Sequence, residues 1–411
     1  MNATASKTPR YAALQHKNFV LLWSGMIVSN IGTWVQNVAQ GWLVLQLTDS
    51  PLWLGVLGLS FAVPMVLLPL VGGAVVDRIN RIRLLFFTQT AMMMLSFAVA
   101  LLIWFDLIRV WHLLAASFMG AALLAFDNPA RRALIPDIVP PQDLMNALSI
   151  NAATYTGAAL IGPAIAGALL VPLGIGSLFF LNGISYLAVL IALMAMRDAP
   201  THSGGIQASF AESVIGGLAY AWRTRLILAL LIISALTAIC GRSYQNLFPI
   251  FARDIWRSGA HGYGFLLSAA GGGAVVGAFG LASIRQLKRQ GAVMIGCGLV
   301  FSAAVILFSI STSLIMGICF IFIGGVMATV FGTIIATFIQ IMVPGALRGR
   351  IMSLYTITLI GLPSLGGMGI GAIAELLGGI PGAPRAVWIG GAVVAALFLS
   401  VSPFFWRRNI A

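Results

Sequence analysis

Charge is what this chain has least of. Only 8% of its 411 residues are Asp, Glu, Lys or Arg, and the acids number ten. A soluble domain carries about a quarter charged residues. A 43.4 kDa protein with so few cannot cover its surface in water, which excludes a soluble enzyme, a nucleic-acid binder or a disordered chain. Cysteine is also scarce: Cys240, Cys297 and Cys319 all sit inside apolar runs, with neither metal-ligand spacing nor a disulfide framework. The four histidines, His16, His112, His202 and His261, map to ends and loops. No metal or cofactor is therefore expected. A membrane-embedded enzyme would need a nucleophile, base or metal ligands converging within the spans, and none is apparent. Gly271-Gly272-Gly273 lacks the Gly-Lys-Ser/Thr of a phosphate loop. The apolar runs show no period of two, which argues against a β-barrel.

What is present is apolar. Hydrophobic residues make up 60%, mean hydropathy is +1.01, and there are 46 glycines, a residue that lets membrane helices approach closely. A crossing needs about 20 apolar residues. Twelve stretches meet this, near 19–47, 52–76, 84–105, 111–130, 144–172, 176–196, 226–250, 262–284, 291–310, 313–342, 350–378 and 386–406. The expected fold is all-α, with twelve transmembrane helices in two six-helix halves. A polar stretch from Arg197 to Arg225 divides them. It predicts bundles over 1–200 and 225–411 joined by a cytoplasmic linker over 201–224, with Phe210 to Trp222 as an amphipathic surface helix. The first 18 residues are polar and basic, and the apolar run after them is too long for a cleaved signal peptide, so the N-terminus is expected to stay, in the cytoplasm.

The basic residues set an orientation. With that N-terminus inside, the inner segments hold Lys7, Arg10, Lys17, Arg78, Arg81, Arg83, Arg131, Arg132, Arg197, Arg223, Arg225, Arg285, Lys288, Arg289, Arg348, Arg350, Arg407 and Arg408. The outer ones hold Arg109, Arg253, Arg257 and Arg385, and Arg242 is left within a span. This asymmetry obeys the positive-inside rule and puts both termini in the cytoplasm. The halves also repeat. Gly72–Val76 recurs as Gly272–Val276, while Val139-Pro140, Gly167 and Gly174 recur 204 positions later as Val343-Pro344, Gly371 and Gly378. Two similar halves point to a transporter with its site between them.

Polar residues within the spans are the candidate machinery. Span one carries Asn30, Thr33, Asn37 and Gln40 on one face, with Gln36 beside Gln40. Span seven carries Arg242, Gln245, Asn246 and Pro249, and span ten carries Thr329, Thr333, Thr337 and Gln340. Arg242, roughly 8 Å past the middle of its span at 1.5 Å per residue, is a costly intramembrane cation. It faces a cavity that admits an acidic group, snorkels outward, or bonds a neighbouring carbonyl. Glu375, roughly 6 Å below the surface, is a proton-exchange candidate because desolvation raises a carboxyl pKa. The alternative is a rim residue bridged to Arg385 or Arg242. At the other end Asp77 and Arg81 share a helix face.

The segment Gly73-Ala74-Val75-Val76-Asp77-Arg78-Ile79-Asn80-Arg81 resembles the signature loop of the major facilitator superfamily. Gly73, Asp77, Arg78 and Arg81 match it. Asn80 stands where the family has Gly, and Asn is the next-best residue for a left-handed turn. The block Asp127 to Pro136 with Arg131, and the stretch Gln340 to Ser353, are similar to the branch containing the enterobactin exporter and macrolide efflux pumps. Gly162, Pro163 and Gly167 resemble the family's antiporter signature, with Ala166 replacing one Gly. The resemblance implies that spans one, four, seven and ten line a central path, and that Asp77, Arg78, Arg81, Asp127 and Arg131 form a cytoplasmic gate. It also implies export of amphiphilic small molecules, of drug or siderophore type, by alternating access with proton antiport. The setting would be the inner membrane of a bacterium, and the chain is expected to act as a monomer. A lipid or lysolipid flippase on the same fold is the alternative.

Overall fold

In a computed structural model, residues 12–68, 79–196, 219–284 and 289–405 are described. The first half comprises α1 (Lys17–Thr48), α2 (Pro51–Leu67), α3 (Arg81–Trp104), α4 (Val110–Ile138), α5 (Leu144–Leu173) and α6 (Ile175–Ala195). The second comprises α7 (Arg225–Ile255), α8 (Gly259–Ala282), α9 (Gln290–Ser309) and α10 (Leu314–Met342). It ends with α11, in two pieces (Gly345–Ile360 and Leu362–Leu376), and α12 (Ala383–Phe405). All but α2 are long and apolar enough to cross a bilayer; the described part of α2 has 17 residues.

Chain punctuation explains the ends. Ser50-Pro51 opens α2, with proline in the first turn where its missing N–H costs nothing. Pro363 restarts α11 after Gly361 in the same way. Gly174 (φ 76°) and Gly378 (φ 108°), the predicted repeat mates, both take left-handed φ after the helix that precedes them. Asn80 departs from expectation. Its φ is −56°, and it caps α3 by accepting the backbone N–H groups of Ile82 and Arg83 at 3.0 and 3.1 Å. A capping side chain, rather than a left-handed turn, is what asparagine contributes there.

Two spans run beyond their predicted ends. Helix α4 continues through Pro129 and Pro136 to Ile138. Four charges near this end do not mark a membrane boundary because they are paired within the protein: Asp127 with Arg131, and Asp137 with Arg81. Helix α7 reaches Ile255, which puts Arg242 close to its centre rather than well beyond it.

The helix pairings of one half recur in the other. Helix α1 packs on α5 and α6, α2 on α4, and α3 on α4 and α6. Correspondingly, α7 packs on α11 and α12, α8 on α10, and α9 on α10 and α12. The halves meet along two equivalent seams, α2 against α11 and α5 against α8. This is the pseudo-two-fold arrangement expected of duplicated six-helix halves. Among the described residues α3, α6, α9 and α12 pack mainly within their own halves, whereas α1, α4, α7 and α10 each touch both seam helices of their own half and so lie between the seams. Of the predicted linker, only residues 219–224 are described; there Ala221 is buried as part of the larger apolar core.

Candidate functional site

The seams are built from glycines. A Cβ on Gly55 of α2 would stand 2.5 Å from the Gly367 carbonyl oxygen, and one on Gly371 of α11 2.6 Å from that of Pro51. On the other side, a Cβ on Gly264 of α8 would stand 2.4 Å from the Pro163 oxygen, and one on Gly271 2.8 Å from that of Ala159. Gly167 lies on Ala260 and His261 at the start of α8. Two of the three antiporter-like residues are therefore interface residues. Gly162 packs on the Trp34 ring of α1, while Pro163 and Gly167 abut α8. Gly167 and its repeat mate Gly371 do the same job on opposite seams.

Polar groups clasp one end of the halves. Arg253, in the last turn of α7, donates to Asp49 Oδ1 at 2.6 Å, to the Leu45 carbonyl at 3.1 Å, and to Asp254 at 3.0 Å. Asp49 ends α1 with φ 48°, and it precedes Arg253 by 204 positions, the repeat offset itself. Nearby, Ser50 donates to Glu375 Oε2 at 2.9 Å, and Trp42 stacks on Tyr263. Glu375 is exposed at this rim. Its hydrogen-bond partner is Ser50, rather than the Arg385 or Arg242 offered as the alternative. The Asp49 side chain is 71% exposed, so its ion pair contributes under about 1 kcal/mol, and the charged bond to Leu45 about 1.5–3 kcal/mol. Arg253→Ala is expected to raise the labelling rate of a cysteine at position 37, approached from the clasp end, several-fold. The measurement uses a background without Cys240, Cys297 and Cys319; an unchanged rate would show that the clasp does not restrain that end.

At the opposite, basic end the predicted gate is arranged differently from expectation. Arg81 pairs with Asp137 and also donates to the Ala133 carbonyl at 3.1 Å. Asp127 lies ten residues before Asp137 in α4, about 15 Å deeper at helical rise, and is fully buried. It pairs with Arg131 and accepts from Thr88 Oγ1 and Gln89 Nε2, each at 2.8 Å. The expected Arg81–Asp127 cluster is thus two separate pairs, both inside the first half. Asp137, the actual partner of Arg81, is the residue that sequence reasoning missed. Gly73, Asp77 and Arg78 lie outside the described residues. His16 meets Asp143 at 2.8 Å, tying the start of the chain to α5.

Of the predicted cavity residues, the structure separates two groups. Gln36 accepts from Ser96 at 2.8 Å and Asn182 at 2.7 Å, and Gln40 donates to the Leu113 carbonyl at 3.0 Å. Both face into the first half rather than into the space between halves. Thr33 bonds back to Ser29, and Asn30 is half-buried. Asn246 sits in the α2–α11 seam against Gly58 and Gly367. Asn37, Thr333, Thr337 and Gln340 are exposed, as are Asn128 and Arg132 of α4. Arg242 and Gln245 are half-buried on α7.

Helix α7 is not a continuous α-helix. Its α-helical start ends at Leu236, and a π turn (Thr237–Arg242), a 3-10 stretch (Ser243–Leu247) and a second π turn (Phe251–Ile255) follow. Such interruptions cluster at functional sites, and discontinuous helices at mid-membrane form transporter binding sites. Gly241 and Pro249 were the sequence signals available. The irregular backbone is accommodated by glycines opposite: Gly366 against the Ile239 carbonyl and Gly390 against that of Cys240.

Comparison with known proteins fits this architecture. The family described as transmembrane secretion effector, of the major facilitator superfamily, matches residues 8–403. The MFS-type transporter YfiS of Bacillus subtilis is 26% identical over 386 residues, 88% of each chain. The multidrug efflux pump Tap of Mycolicibacterium fortuitum is 25% identical, covering 81% of this chain and 83% of its own. The enterobactin exporter EntS of Escherichia coli is 26% identical, covering 64% and 62%. The crystal structure of the nucleoside transporter NupG shares the fold at a TM-score of 0.79 and 13% identity, covering 95% of this chain and all of its own. The chain, from its N-terminal helix to its last span, belongs to the transmembrane secretion effector family of major facilitator transporters.

Proposed function

We propose that this multi-pass transporter, which is not an enzyme, is a secondary active exporter of amphiphilic small molecules. It works by alternating access between the two halves, bounded as 1–200 and 225–411 with 201–224 as linker, and is driven by proton antiport. It acts as a monomer in the inner membrane of a bacterium, with both termini and the basic end cytoplasmic. One observation carries the reading: Asn37 on α1 and Thr333, Thr337 and Gln340 on the stretch of α10 that runs toward the basic end are exposed, while the other end is clasped by Arg253, Asp49 and Leu45. Such a form receives cargo from the cytoplasm. The names of Tap and EntS, an efflux pump and an exporter, support the direction. The charge asymmetry supports the orientation. The test is accumulation in inverted vesicles of dyes, macrolides and catecholate siderophores, with and without a proton gradient. Uptake that collapses when the gradient is dissipated is expected. Gradient-independent uptake would remove antiport, and movement of lipids alone, dependent on headgroup, would replace export with flipping.

A further inference from the structure

We propose that Arg242 anchors an oxyanion, a carboxylate or phosphate, on the transported molecule, so that the preferred cargo is an amphiphilic anion. The transport part rests on the exporter reading; the binding part does not.

Arg242 makes no hydrogen bond or ion pair among the described residues. It lies eleven residues from the clasp residue Arg253, and Asn37 lies twelve from Asp49. At helical rise both stand about 17 Å below the clasped end, near the middle of the bilayer. An unpaired cation at that depth is retained where it meets water or an incoming charge.

No described residue supplies such a charge. Among the described residues Asp49 and Asp254 are held by Arg253, Asp127 by Arg131, Asp137 by Arg81, Asp143 by His16 and Glu375 by Ser50. Asp106 sits in the turn after α3, at the clasped end.

The neighbouring side chains of α7 are committed elsewhere. Tyr244 is buried among Phe248, Phe301 and Phe308, and Gly241 packs on Phe301 and Val394. Asn246 fills the α2–α11 seam. Arg242 is left partly exposed at the junction of the π turn and the 3-10 stretch. The hydroxyls of Thr237, which opens the π turn, and of Ser243, which opens the 3-10 stretch, are buried without a partner. Its surroundings are hydroxylic, not acidic: Tyr355 lies within reach of its field and donates to the Gly332 carbonyl at 2.7 Å, next to the exposed Thr333. A guanidinium fork matches a carboxylate or phosphate in two parallel bonds.

The test uses the full chain in a neutral detergent. Binding of dodecanoate, its methyl ester, dodecyl phosphate and lysophosphatidylglycerol is followed by tryptophan fluorescence. Dodecanoate and dodecyl phosphate are expected to bind at least about tenfold tighter than the ester, equivalent to about 1.4 kcal/mol. Arg242→Gln should erase that preference without weakening the ester, while Arg242→Lys keeps most of it; both should elute as the parent protein does. Preference for the lysolipid alone, lost in Arg242→Gln, would mark the phosphate as lipid-borne. Equal binding of acid, phosphate and ester, or a preference that survives Arg242→Gln, overturns the proposal. Arg242-dependent binding without accumulation in inverted vesicles would leave the anion site standing and sink the exporter reading. Gradient-driven accumulation of neutral dyes, with no anion preference, would do the reverse.

Discussion

Asp127→Ala is expected to destabilise the first half by about 3–5 kcal/mol, the cost of stranding one partner of a buried ion pair. The carboxylate is 0% exposed and Arg131 only 8%. Removing Asp127 leaves a guanidinium in apolar surroundings, together with the Thr88 and Gln89 donors that had turned toward Asp127 Oδ1. Arg131→Met should cost about as much, since it strands the carboxylate. The double variant Asp127→Leu/Arg131→Met should lie much closer to the parent, because apolar replacement of a whole buried pair is often neutral or better. Thermal unfolding in detergent measures all three. Single variants whose losses simply add in the double would show that the two charges do not form an energetic unit. The prediction also separates this pair from a gate. Asp127 lies within one half, between α3 and α4, so its loss should lower the unfolding temperature before it changes which end is open. Arg81 at the start of α3 and Asp137 at the end of α4 are better placed to act on closure at the basic end.

The spans were legible because a lipid-facing helix is apolar on every side, and twelve continuous runs leave little to interpret. The repeat was legible because Gly174 and Gly378 fill the same backbone need, a left-handed residue between helices. The depth of Asp127 was not. Pro129, Arg131, Arg132 and Pro136 look like the end of a membrane span in any local reading, and only the partners on α3 show that the charges are neutralised inside the fold. Nor was the direction of Gln36 and Gln40. Helical spacing groups them near Asn37, but the neighbour each meets, Asn182 or Leu113, lies far away in sequence. The break in α7 was faintly signalled by Gly241 and Pro249. Its π and 3-10 turns have the composition of an ordinary apolar helix, so spacing alone does not reveal them. Asp49 and Arg253 were each visible as isolated charges, and their meeting follows from the two-fold relation of the halves.

The glycine seams give the second large effect. Gly264→Val is expected to leave both halves folded while preventing the clasped end from closing. The obstacle is backbone, not a side chain able to swing away. A Cβ at 264 would stand 2.4 Å from the Pro163 carbonyl oxygen and 3.0 Å from Gly167 Cα. Overpacking of this kind costs about 1–3 kcal/mol. The protein can escape that cost by parting α5 from α8, which lie in different halves, without disturbing either half's core. A bias of that size changes a two-state population about 5- to 150-fold. A cysteine at position 37 should therefore become accessible from the clasp end, and accumulation in inverted vesicles should fall steeply. Gly264→Ala should move the same readouts in the same direction by less. Gly183→Val is the contrast. Its Cβ would stand 2.3 Å from the Phe97 ring within the first half, so it should lower the unfolding temperature and leave accessibility in the surviving protein unchanged. If Gly264→Val keeps parental accessibility and transport, the α5–α8 contact does not close that end. If it unfolds the protein as Gly183→Val does, the seam belongs to the core, and the halves do not move apart along it.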